Sequence, residues 1–418
     1  MDVRAMTRRL AVLAVAGAVL VTGVGITAPA ASQARPIRIG FIVPTTGVFA
    51  ANGRDMVNGF TLFWEQRNFT VAGRRVEIIV EDDVGAPANT LTKARKLVEQ
   101  DRVDMLVGPL TANSGLALRD FVHEAKVPTL FPIVSADDIT QRRRTPYIVR
   151  VGWTSSQPNQ PFGEWITKNT SYRRVATIGY DFAFGHENVG GFQRTFEESG
   201  GRIVQKLWPP IGAPDYGPYL AQLRRDIDAV YAIFSGADAL RFLSQYQEFG
   251  LKARLPLIGG GTLTDEHILP QMGNEALDIV TPLHYSAALS TSENRAFASA
   301  YAKKYTRSPS YYSENSYTGA RFVYEALVAL RGAVENREAF LAALRRVEIS
   351  DAPRGPVTLD AFANPVQNIY IRKVERRGGL LQNTVVFTYR GVSQFWKYDP
   401  EEFLKQPVYS RDFPPMKP

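Results

Sequence analysis

The sequence predicts a doubly wound α/β fold in two similar halves, and three observations predict it. Short runs of β-type apolar residues recur along the chain, and segments of helical period lie between them. The beat then restarts near residue 175, after a polar, proline-bearing stretch at 153–161. Strands and helices that alternate over short connections build parallel sheets covered by helices. The first run, residues 37–43, stops at Pro44, and others follow at 76–80, 105–107, 129–131, 175–179, 229–234 and 257–258. Most are continuous rather than alternating, as strands buried on both faces require. Between them, Leu91, Ala94, Leu97 and Val98 share one face of a helix over 90–100, and Leu240, Leu243 and Tyr246 share one over 239–249. Residues 297–346 read as mainly helical. After Pro365 strands return at 369–371 and 384–389, and the polar tail from Tyr398 is expected to lie on the surface.

Ahead of the first strand stands a segment of another kind. Arg4, Arg8 and Arg9 precede an apolar core from Leu10, and small residues lead to Ala34. A basic start, an apolar centre and a small-residue end are the marks of a secretory leader. Cleavage is expected after Ala34, with Ser32 at the minus-three position and Ala30 as the alternative, and with no cysteine there is no site for a lipid anchor. The remaining 384 residues, 418 less 34, suffice for two domains, and the leader implies a protein free in the periplasm or outside the cell. Their charge is about +6, the whole chain's +8 less the leader's +2, and it is scattered. The one tight basic run, Arg142-Arg143-Arg144, reads as a solvated loop and excludes a nucleic-acid function.

The devices of catalysis are missing. There is no phosphate-binding glycine loop with its lysine, no dinucleotide fingerprint and no nucleophile elbow. Gly259-Gly260-Gly261-Thr262 reads as a tight turn. His123, His186, His267 and His284 stand too far apart for metal spacing, so no metal or cofactor is expected. Glu81-Asp82-Asp83 reads as a strand end that bonds loop amides or caps a helix. Nothing argues for an enzyme, and a binding function is left. Ligands of open α/β sheets lodge beyond the carboxyl ends of the strands. Such ends carry Thr111-Ala112-Asn113-Ser114-Gly115 and Val134-Ser135, whose hydroxyls and free amides suit a carboxylate or simply cap helices. In the second half Tyr180, Phe182 and Phe184 crowd one strand-end loop, where they would cover an apolar or ring-shaped ligand.

The strand at 37–43, Gly47, Gly53 and Gly59, Glu81-Asp82-Asp83, Val107-Gly108-Pro109 and Tyr180-Asp181-Phe182-Ala183-Phe184-Gly185 follow one another in a familiar order. The chain after residue 34 thereby resembles the branched-chain amino-acid-binding (leucine/isoleucine/valine-binding) family, type I periplasmic solute-binding proteins of ABC importers. The resemblance implies two lobes joined by three crossing strands near residues 152, 283 and 357. One lobe would comprise 35–152 with 284–357, the other 153–283 with 358–418 and its C-terminal extension. Carried over by position, the pocket implied is Ala112, Asn113 and Ser114 in one loop and Ile133, Val134 and Ser135 in a second. Asn52 and Phe184 stand where the family has tyrosines, Ser235 where it has an aromatic, and Gly261 where it has the acid that pairs an amino-acid ammonium. Gly85 and Thr111 occupy the positions of the family's disulfide. Trp153 and Phe182 join Phe184 in resembling the branch of the family that binds aromatic carboxylates.

The expected function is therefore capture of a small organic acid, an aromatic carboxylate first, by lobe closure and delivery to the transmembrane subunits of an ABC permease. A branched-chain amino acid or an amide or urea is the alternative within the class, and a periplasmic sensor the alternative outside it. The protein is expected to act as a monomer.

Overall fold

The computed structural model describes residues 35–417, so the leader expected at 1–34 lies outside the described residues. Two sheets organise the chain. The first uses β1 (Ile37–Val43), β2 (Thr70–Val71), β3 (Arg74–Asp82), β4 (Met105–Val107), β5 (Thr129–Phe131) and β6 (Ile148–Arg150), in the order β2-β3-β1-β4-β5-β6. All pairings except β2 with β3 are parallel. The connections carry α1 (Ala50–Glu65), α2 (Pro87–Arg95) and α3 (Ala112–Ala125). After α4 (Asn159–Asn169) the plan repeats with β7 (Arg174–Gly179), α5 (Ala183–Glu198), β8 (Arg202–Leu207), α6 (Gly217–Leu220), β9 (Ala229–Ile233), α7 (Gly236–Glu248), β10 (Leu257–Gly259) and β11 (Val280–Leu283). The continuous apolar strands β4, β5 and β9 are buried along their whole length, as the absence of alternation requires.

Then the chain returns. Helices α8 (Ser292–Tyr305), α9 (Tyr311–Ala329) and α10 (Arg337–Arg345) belong with the first sheet, α9 lying on α1 and α10 against β6. The second sheet is completed by β12 (Val357–Leu359), β13 (Pro365–Arg377) and β14 (Leu380–Val392), giving the order β12-β13-β11-β10-β9-β7-β8 with β14 paired to β13. These last strands pair antiparallel, so only the β7–β11 part of that sheet is parallel. The chain thus crosses between sheets three times, after β6, after β11 and before β12.

The tail does more than lie on the surface. Its helix α11 (Pro400–Lys405) is capped by Asp399, and Phe395, Phe403 and Tyr409 bury one another in a small core of their own. Arg142, read as part of a solvated loop, is instead largely buried. It donates to the carbonyls of Phe403, Leu404 and Gln406, because an arginine offers several donors to carbonyls that leave a helix end unpaired. No helix among the described residues is long and apolar enough to cross a membrane.

Candidate functional site

In each sheet the strand order reverses beside the first strand, at β1/β4 in one and β7/β9 in the other. Loops leaving such neighbours in opposite directions open a crevice at their carboxyl ends. The two crevices face each other across a cavity of about 30 Å3. Phe49, Leu110, Thr111 and Ala112 line it from beyond β1 and β4, and Ile133 and Ser135 from beyond β5. Opposite stand Tyr180, Phe182 and Phe184 after β7 and Ser235 after β9, while Tyr311 and Tyr312 close it from the start of α9. A cavity of roughly 150 Å3 admits a benzene ring. The cavity is therefore smaller than the space a ring needs.

Its walls are aromatic with hydroxyls, and among the described residues no charged side chain lines it. Thr111, the N-cap of α3, accepts the amide of Ser114 at 3.2 Å, which leaves the first amides of the helix aimed outward beside Ala112. Ser135 accepts the Ser155 hydroxyl at 2.9 Å. Between α1 and the loop after β9, Asn52 Nδ2 donates to Ser235 Oγ at 3.1 Å, and Ser235 Oγ lies 2.7 Å from Tyr312 Oη. Tyr180 donates to the Ser235 carbonyl and to Asp238 Oδ2, each at 3.1 Å; burial and the Asp238 charge push its pKa far up, so it stays a donor.

Of the residues singled out in sequence, Ala112, Ile133, Ser135, Phe182, Phe184 and Ser235 surround this one cavity. The others do not line it. Asn113 is exposed on the first turn of α3, and Ser114 turns inward to accept Thr90 Oγ1 at 2.9 Å. Val134 packs into the face of α3 at Gly115. Asn52 stands behind Ser235 as a buried bridge. Gly261 opens a 3-10 turn against β11, where its carbonyl accepts Arg372 at 2.7 Å. Trp153 is wholly buried behind the wall, in edge contact with Phe184 at 6.1 Å and Tyr311 at 5.8 Å. It supports the rings that face the cavity. Tyr311 and Tyr312 were not legible as site residues, since they are remote in sequence from any strand end. The signal that could have found them is Pro309-Ser310 ahead of two aromatics, because Ser310 caps α9 and points its first turn at the crevice.

Other sequence readings find their places. Asp82 accepts the amides of Thr45 and Val84, both at 2.9 Å, and the Thr46 hydroxyl at 2.6 Å. Burial alone would raise its pKa, but these donors bring it down to about 2. Gly85 and Thr111 are neighbours, the threonine hydroxyl 3.4 Å from the glycine carbonyl. His284 is buried with Nε2 2.8 Å from Asn315 Oδ1, and burial, helped by Arg354, holds it neutral. Among the described residues no group of three or more His, Asp or Glu is placed to hold a metal ion.

The comparisons agree with this architecture. The model of a family described as periplasmic binding protein matches residues 36–379. A Leu/Ile/Val-binding protein homolog 6 of Brucella melitensis is 28% identical over 357 residues, 84% of this chain and 90% of its own. An ABC transporter substrate-binding protein from Sphaerobacter thermophilus superposes with a TM-score of 0.81 at 36% identity, over 86% of this chain and 99% of its own. An ABC transporter solute-binding protein of Rhodopseudomonas palustris BisB5, solved in complex with 3,4-dihydroxy benzoic acid, gives 0.82 at 33%, over 86% and 98%. Likeness over nearly the whole described chain, with a cleft at the switch points of both sheets, makes it a member of the periplasmic binding proteins, which serve ABC transporters by binding solutes and not by catalysis.

Proposed function

We propose that the protein captures an aromatic carboxylate between its lobes and hands it to an ABC permease. The observation that carries this reading is the cavity wall, rings and hydroxyls without a charged side chain. An amino acid would bring an ammonium, and burying it unpaired costs several kcal/mol, on the order of the usual penalty for an isolated charge. The nearby acids are engaged elsewhere: Asp238 with Arg241 at 2.7 Å, and Asp265 with His267 at 2.6 Å. A carboxylate suits the free amides at the start of α3, with Ser135 beside them. The ring would lie among Phe49, Phe182, Phe184 and Tyr311. The dihydroxybenzoic acid held by the Rhodopseudomonas relative supports the same class of ligand. In this reading the lobes are 35–152 with 284–357 and 153–283 with 358–418, the protein is secreted through its leader, and closure is the two-state step that ligand contacts to both lobes favour.

Thermal shifts test it on protein stripped of ligand by unfolding and refolding. Benzoate, 4-hydroxybenzoate and 3,4-dihydroxybenzoate are set beside leucine, isoleucine and urea. A ligand at a hundred times its Kd adds about 2.7 kcal/mol. Stabilisation by the aromatic acids alone is expected, and stabilisation by leucine alone sinks the reading. For an aromatic acid that binds, Phe184→Ala is expected to weaken binding about 30-fold, or about 2 kcal/mol, through loss of a buried ring contact. Unchanged affinity by titration calorimetry would remove Phe184 from the pocket.

A further inference from the structure

Two residues beyond Ser135, the lobes meet a second time, and this contact joins two acidic residues. Asp137 opens the 3-10 turn Asp137–Thr140 of the first lobe, and its amide donates to Glu187 Oε1 of α5 at 3.1 Å. Both residues are 2% exposed. Asp137 Oδ1 accepts the Ser156 amide at 3.2 Å, while Asp137 Oδ2 and Glu187 Oε2 have no partner among the described residues. The buried cation that faces them is Arg150, at the end of β6, and Asp360 faces it too. Arg150 donates to Asn364 Oδ1 at 3.3 Å and to the Ala136 carbonyl, and among the described residues no ion pair within 4 Å joins it to a carboxylate. Three carboxyls around one guanidinium would leave a buried surplus of negative charge if all ionised.

The remaining charged neighbours do not remove that surplus. Asp138 is taken by Arg142 at 3.0 Å, and His186, beside Glu187, is taken by Asp181 at 3.0 Å. Arg194 and Tyr409 face Asp137 across a cavity of about 340 Å3 that the tail covers, and Arg194 lies over the Tyr398 ring at 3.6 Å. Asp137 lines that cavity.

We propose that Asp137 and Glu187 form a proton-dependent lock between the lobes: the closed protein keeps a proton on the pair that the open protein releases. The lock concerns closure and does not depend on which acid is bound. Burial pushes Glu187 well above the ordinary carboxylate range, with the Asp137 charge adding to it. Burial likewise pushes Asp137 up to about 6, against the pull of Ser156 and Arg150. Opened to water, both return towards roughly 4. The sign follows. Closure takes up a proton, so it is favoured at low pH and weakened as pH rises through about 6, where a buried negative charge comes onto the interface.

The test needs no ligand, and the chain's lack of cysteine makes it clean. Glu124→Cys on the first lobe and Gln247→Cys on the second, both exposed, take spin labels for distance measurement by pulsed electron resonance. The closed-to-open ratio is expected to be about tenfold higher at pH 5 than at pH 8, as a shift from about 4 to about 6 dictates. The Asp137→Asn/Glu187→Gln variant is expected to lose that dependence, and Glu187→Gln alone to blunt it. A distance distribution unchanged with pH in the otherwise wild-type protein overturns the lock, as does an equal response in the variants. Failure here leaves the ligand class untouched, since the thermal panel reads that separately.

Discussion

Arg354→Met is expected to cost about 3–5 kcal/mol of stability, the range for stranding one partner of a buried ion pair. Arg354 sits on the third crossing, wholly buried, with its guanidinium 3.5 Å from the equally buried Glu314. It also donates to the Val151 carbonyl on the first crossing and to Asn315 Oδ1. Asn315 in turn holds His284 on the second crossing and the carbonyl of Pro132 at 3.0 Å. One side chain therefore ties all three crossings together. Burial already raises the Glu314 pKa against the pull of Arg354, so without the cation Glu314 must take a proton or stay as a buried charge. Urea unfolding measures the loss. Adding Glu314→Gln should restore ~1 kcal/mol or more, because it removes the stranded charge. A single-variant loss below ~1 kcal/mol would mean that the pair is solvated and the hinge does not depend on it.

Gly59→Ala is expected to destabilise the protein by about 3 kcal/mol, the upper end for overpacking, since the obstacle is backbone. A β-carbon there would stand 1.9 Å from the Ser313 carbonyl oxygen and 2.7 Å from its Cα. Helices α1 and α9 cross at this point with nothing between them. Ser313 belongs to the capping turn of α9, two residues after Tyr311 and one after Tyr312. Pushing that turn away moves two walls of the cavity, so affinity for any closing ligand should fall with stability. Gly319→Ala, on α9, is the control. Its β-carbon meets only side-chain atoms at 3.1 Å and beyond, which can yield, and its cost should stay under ~1.5 kcal/mol. Equal losses at the two positions would refute the close crossing.

Where burial acts on a run of residues, the sequence showed it. Residues 105–107 and 129–131 were legible to the residue as β4 and β5, because strands covered on both faces are built mostly of apolar side chains. Strand β8 escaped, since Arg202–Leu207 is an edge strand that mixes polar and apolar residues. Strand β11 contains Pro282, which argues locally against a strand, but β10 pairs with β11 only at Val280, so the ladder on that side asks no amide of Pro282. Strand β6 is three residues long and carries Arg150, a charge that only its folded surroundings explain. The site divides in the same way. Phe182, Phe184, Ala112, Ser135 and Ser235 stand at strand ends, where chain direction alone aims them at a crevice. Trp153, Ser114 and Gly261 stand in similar places but turn away, as neighbours far off in sequence decide.

By itself the sequence determined that the chain builds two α/β halves, carries no catalytic device and presents aromatics and hydroxyls at its strand ends. Those properties follow from period, burial and residue chemistry, which act over a few neighbouring positions. Only the tertiary structure decided which groups face one another. It brought Tyr311 and Tyr312 to the cavity from α9, sent Trp153 behind the wall, ran the tail onto Arg142 and set Asp137 against Glu187. Each of these joins residues brought together by packing between the lobes or across the crossings, and the free energy of such contacts depends on distances that no local pattern encodes.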